Sequence, residues 1–79
     1  MNILILKSVD DNTIVYEYQP EGTGMIGIVS YDKKNQIVNI IKKAKDTSSD
    51  DLYASKAVNK ITEFVKMKNL PIEYTQAWY

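Results

Sequence analysis

The side chains that could do chemistry in this chain are lysines, carboxylates and tyrosines, and a function has to be sought in their spacing. The sequence holds ten basic and ten acidic residues, with no histidine and no cysteine. Every basic residue is a lysine. Thiolate and imidazole metal sites are therefore excluded, and only hard oxygen ligands remain for a cation. Asp10-Asp11-Asn12 is a dense oxygen cluster, but it lacks the alternate spacing and central glycine of a calcium loop. Asx side chains in such a run bond their own backbone and make a turn. Glu21-Gly22-Thr23-Gly24 has the glycines of a phosphate loop without its closing Lys-Ser/Thr. It also leads into a strand rather than a helix start, so a turn or bulge is expected there. Ser55 and Lys56 are adjacent and would diverge on a helix, as would Asp50 and Asp51. No catalytic, cofactor-binding or metal residue is assigned, and no enzymatic activity is expected.

Binding is the remaining class. Lys42, Lys43 and Lys45 form a basic cluster that Lys56 and Lys60 could join. Tyrosines are plentiful, with Tyr16, Tyr18, Tyr31 and Tyr53 near the strands and the helix start. A lysine rim around a tyrosine-bearing sheet is one way to hold single-stranded nucleic acid. Against it stand the zero net charge and the missing arginine, the commonest base reader. The stronger expectation is a protein partner, a second copy among the candidates. Tyr16, Tyr18, Tyr31, Trp78 and Tyr79 are the contact residues on that reading, because Tyr and Trp are the usual interface anchors. The bland account of the same residues is cross-strand tyrosine pairing beside a solvated linker.

These residues have to be positioned by one small domain. Seventy-nine residues at 44% hydrophobic and 25% charged are ordinary globular material with room for one core. A core of that size yields only about 3–5 kcal/mol, and without cysteine no disulfide can add to it. Charge is mildly uneven. The stretch before Lys42 has three lysines against five carboxylates, and the rest has seven against five. The first apolar run, Ile3-Leu4-Ile5-Leu6, is too short for a membrane span or a signal segment, so a cytoplasmic protein is expected.

The hydrophobic period changes once. Up to Ile41 the apolar residues come in short β-branched runs between turn clusters, and from Asp50 to Lys68 they recur every three or four residues. This predicts an α+β fold: a four-stranded antiparallel meander over residues 2–8, 13–19, 25–31 and 36–42, then a helix over 50–68 packed on one face. The connections are too short for parallel crossovers. Ser48, Ser49 and Asp50 suit a helix N-cap, and Ala54, Val58, Ile61 and Val65 mark its buried stripe, with Ala57 and Phe64 alongside. Asn69 in a left-handed conformation and Pro71 should end the helix. The tail, residues 72–79, alternates and could be a fifth strand or an ordered arm.

At Tyr16-Glu17-Tyr18, Pro20-Glu21-Gly22, Gly27 through Asp32, Tyr53-Ala54-x-x-Ala57 and Ala77-Trp78-Tyr79 the chain resembles a set of short bacterial proteins of unknown function. The resemblance spans nearly the whole chain and carries no catalytic motif. It implies a stand-alone cytoplasmic protein and a structural or binding role for Trp78 and Tyr79, but transfers no activity.

One further expectation follows from edges. In a plain meander the first strand lies at an edge, yet Ile3 to Leu6 is apolar on both faces. Such an edge invites aggregation unless something covers it. The tail is the favoured cover over a second copy, because a linked segment needs no partner concentration. Trp78 should then be substantially buried.

Overall fold

The computed structural model describes residues 1–21, 24–44 and 48–77, and of residues 48–51 the backbone alone. The elements are β1 (Asn2–Val9), β2 (Thr13–Pro20), β3 (Gly27–Asp32), β4 (Ile37–Lys42), α1 (Ser48–Met67) and β5 (Glu73–Gln76). The strands form a single sheet in the order β4-β3-β2-β1-β5, every neighbour antiparallel. The α+β class and the meander are as the periodicity implies.

Two aspartates close the two tight hairpins. Asp10 Oδ1 accepts from the backbone N–H groups of Asn12 and Thr13 at 2.8 and 2.7 Å. Asp32 Oδ1 accepts from those of Lys34 and Asn35 at 2.9 and 3.3 Å, and Gln36 turns through a φ of 57°. The Asp10 cluster is thus a turn, as its spacing indicated. For Asp32 the Asn35 side-chain amide, donating to Oδ2 at 2.9 Å, contributes most, and together with these backbone bonds it favours the ionised form, so that both carboxyls lie below their ordinary pKa.

The tail is a strand. Asn2 faces Gln76 and Leu4 faces Tyr74 across the β1–β5 pair, so β1 lies inside the sheet. The expectation for Trp78 falls outside the described residues. At residue 68 the sequence reading needs correction: Lys68, not Asn69, takes the left-handed position after the helix, with φ 56°. The Asn69 N–H reaches back to the Phe64 carbonyl and the Lys68 N–H to that of Val65, at 3.0 and 3.1 Å. This pair of bonds caps the helix C-terminus and turns the chain toward β5.

The helix packs on the sheet, but its buried stripe is rotated from the one expected: Ala54, Ala57, Ile61 and Phe64 form its centre, while Val58 and Val65 are half-buried at its flank and line a groove. Beneath the helix lie Leu4, Ile14, Tyr16, Tyr18 and Val29. The small side chains of Ala54 and Ala57 let large tyrosine rings fit between helix and sheet. Gly27, facing Tyr18 across the β2–β3 pair, gives that ring its room. A buried polar clasp ties the helix to the last strand. Asn2 Nδ2 donates to the Tyr53 carbonyl at 2.9 Å and to Gln76 Oε1 at 3.2 Å, and Gln76 Nε2 donates to the Lys56 carbonyl at 2.8 Å.

Candidate functional site

A sheet has two edges, and this one finishes them differently. The β5 edge is four residues long, preceded by Pro71, and carries the exposed carboxylate of Glu73. Shortness, proline and charge are the ordinary means of blunting an edge. The β4 edge is six residues long and has no strand beside it among the described residues. Ile37, Ile40 and Ile41 are 50%, 42% and 62% exposed along it. Ile41 projects because the register slips there: Ile28 faces Lys42 while Val29 faces Ile40, so Ile41 has no residue opposite. Like Ile3 to Leu6, the run Ile37-Val38-Asn39-Ile40-Ile41 is apolar on both faces, and its edge stays open among the described residues because the tail pairs with β1 instead.

Beside this edge the helix leaves part of the sheet uncovered. A groove of about 570 Å³ runs between α1 and β3–β4, lined by Tyr31, Gln36, Val38, Val58, Thr62, Val65 and Lys66. Its floor and helix wall are the apolar side chains Val38, Val58 and Val65. Thr62, whose hydroxyl donates back to the Val58 carbonyl at 2.8 Å, lines the groove as well. On the opposite flank of the helix the smaller hollow at Phe64 and Tyr74 is bridged. There Lys60 pairs with Glu63 at 3.2 Å and lies 5.4 Å from the centre of the Tyr74 ring.

The cations at the β4 edge are disposed at both ends. Lys34 stands in the turn before β4, Lys42 ends it, and Lys66 lines the groove from the helix. None of these three joins the ion pairs found among the described residues. Among the described residues no carboxylate lines the groove.

The residues singled out from the sequence scatter. Tyr16 and Tyr18 are fully buried under the helix, where they can touch no partner of the folded chain. Their hydroxyls explain how tyrosines tolerate that position. Tyr16 Oη donates to the Pro71 carbonyl at 2.6 Å, and Tyr18 Oη accepts from the Ala44 N–H at 3.1 Å. Burial pushes the Tyr16 phenol above its ordinary pKa and keeps it a neutral donor. Tyr53 is raised as well, by desolvation first and then by the nearby charge of Glu21. Tyr31 is half-buried and lines the groove. Lys42 and Lys43 are exposed at and just after the end of β4. Lys45, Trp78 and Tyr79 lie outside the described residues. Among the described residues no group of three or more Asp or Glu is placed to hold a metal ion, and no helix is long and apolar enough to cross a membrane. No protein-family model, curated protein or solved structure matches this chain.

Proposed function

We propose that the chain is a non-catalytic interaction module that captures an extended polypeptide segment as an added strand on β4. The observation that carries this reading is the pairing of an open, isoleucine-rich edge with an apolar groove on its helix side. Backbone groups along an unpaired edge supply the hydrogen bonds of strand addition, and alternate side chains of the incoming strand need pockets. The groove beside Val38 offers such a pocket, and the half-exposed isoleucines offer apolar contact outside it.

Two other readings lose support from the same geometry. A single-stranded nucleic acid needs exposed aromatic faces on which to stack, and Tyr16 and Tyr18 are in the core. A tyrosine nucleophile needs a lowered pKa or an adjacent base, and Tyr16 and Tyr53 are shifted upward.

Affinity selection from a library of random extended peptides tests the proposal. Selected peptides should perturb the backbone amide resonances of β4 and of the groove wall at Val58, Thr62 and Val65. Selection that yields no binder, or perturbations centred on the opposite flank around Lys60 and Tyr74, would overturn it.

A further inference from the structure

The distribution of charge along β4 says more about the occupant, on the premise that this edge is the binding site. We infer that the edge receives an acidic, β-branched extended segment of another protein, and not a second copy of this chain. A second copy is the natural first candidate, since apolar edges can pair with themselves. Antiparallel self-pairing about Asn39 would even match the side chains by size and face. Val38 would meet Ile40 on the helix side, and Ile37 would meet Ile41 on the other.

The ends refuse that arrangement. With the register centred on Asn39, Lys42 falls opposite Gln36 and Lys43 opposite Asn35, immediately beside Lys34. Among the described residues no carboxylate is close enough to Lys42 or Lys66 to form an ion pair, so the pairing would bring Lys42 toward the lysine-bearing turn of the other copy. The acidic group in the turn, Asp32, accepts from the Asn35 side chain and the Lys34 backbone and keeps its charge beside Lys34, which leaves Lys42 and Lys66 as the cations without a described acidic neighbour. Lysine at an edge is a common device against self-pairing. Here it discourages the copy while leaving the apolar strand between the lysines available.

The complement of this surface can be written out. Lys34 and Lys42 bracket a strand that spans about 20 Å at about 3.4 Å per residue. A partner segment of roughly eight residues reaches from one lysine to the other in extended form. It should carry Asp or Glu at both ends and Val, Ile or Thr at alternate positions between them. Opposite charges across a paired edge add to affinity and fix register, and like charges oppose it.

The test uses the full chain and three synthetic peptides. The first is acetyl-Glu-Glu-Val-Thr-Val-Thr-Val-Glu-Glu-amide. The second and third replace every Glu by Gln or by Lys. The acidic peptide should bind at least about tenfold more tightly than the Gln peptide in about 50 mM salt, and the gap should narrow in about 500 mM salt. The double variant Lys34→Glu with Lys42→Glu changes only exposed side chains. It should keep its melting temperature and reverse the order, preferring the Lys peptide. Wild-type protein should sediment as a monomer. Equal binding of the acidic and Gln peptides would overturn the charge inference and leave strand addition standing. Binding of none of the three would count against both. A wild-type dimer that dissociates on Ile40→Asp would assign the edge to a second copy. Tighter binding of a ten-residue oligothymidylate than of the acidic peptide would assign the lysines to nucleic acid.

Discussion

Gly27→Ala should be the most damaging single-methyl change in the sheet. Gly27 sits opposite Tyr18 in the β2–β3 pair, and a Cβ built there would lie 2.0 Å from Tyr18 Cε1, 2.1 Å from Cζ and 2.5 Å from the hydroxyl. Relief would need the ring to withdraw by about 1.5 Å to reach an ordinary carbon–carbon contact. The ring has nowhere to go. It is fully buried, and its hydroxyl is tied to the Ala44 N–H at 3.1 Å. Overpacking of this kind costs about 1–3 kcal/mol, and an amide left unbonded adds about 1 kcal/mol or more. The total of roughly 2–4 kcal/mol is a large part of the stability of a domain this small. It corresponds to a fall in Tm on the order of 10–30 °C for a 79-residue chain, read by thermal unfolding followed by far-UV circular dichroism. A second variant separates the stated cause from a general intolerance of alanine. Tyr18→Leu removes the far end of the ring, so adding Gly27→Ala to it should cost about 2 kcal/mol less than in the wild type. A Gly27→Ala variant that melts within a few degrees of wild type would refute the reasoning. So would a cycle in which the two changes are additive.

Gln76→Ala should cost about 2–3 kcal/mol in denaturant unfolding, because it removes the bond to the Lys56 carbonyl and one of the two partners of the fully buried Asn2 amide. Tyr16→Phe should cost about 1–2 kcal/mol by leaving the Pro71 carbonyl without its donor, and Tm measurement reads it directly. Acid should destabilise the wild type through its two turns. Asp10 and Asp32 have folded-state pKa values below their unfolded ones, so their contribution is complete above about pH 4 and is lost as pH falls through the lowered folded values. Asp10→Asn keeps an acceptor for the Asn12 and Thr13 amides, and its stability should therefore decline less between about pH 4 and pH 2 than that of the wild type.

Much of the architecture can be read from local pattern, and the reason is visible at particular residues. Asp10 and Asp32 make turns through bonds to neighbours two and three positions away, which spacing alone discloses. Ile3 to Leu6 calls for cover on both sides, and β5 supplies it. The fate of Tyr16 and Tyr18 could not be read this way. Tyrosine suits a half-open sheet face and a core equally, and the choice rests on the Pro71 carbonyl and the Ala44 amide, which lie 55 and 26 residues away in sequence. Lys68 shows a similar limit. Asparagine tolerates the left-handed region better, but the Schellman bonds to Phe64 and Val65 fix which residue must enter it. The open edge was hidden for a topological reason. Residues 37–41 look like a sheet interior strand, and only the docking of the tail on β1 determines that β4 is left outside.

Hydrogen exchange across β4 tests the central claim most directly. In an edge strand, alternate amides face the neighbouring strand and the others face solvent, so exchange along residues 37–40, before the register slip at Ile41, should alternate between slow and fast in the free protein. When a saturating extended peptide is bound, the fast set should slow by tenfold or more while the slow set changes little. Such a pattern can arise only if a new backbone ladder forms on the outer side of β4. Fast amides that stay fast under saturating peptide would contradict the account, whatever the affinity measured.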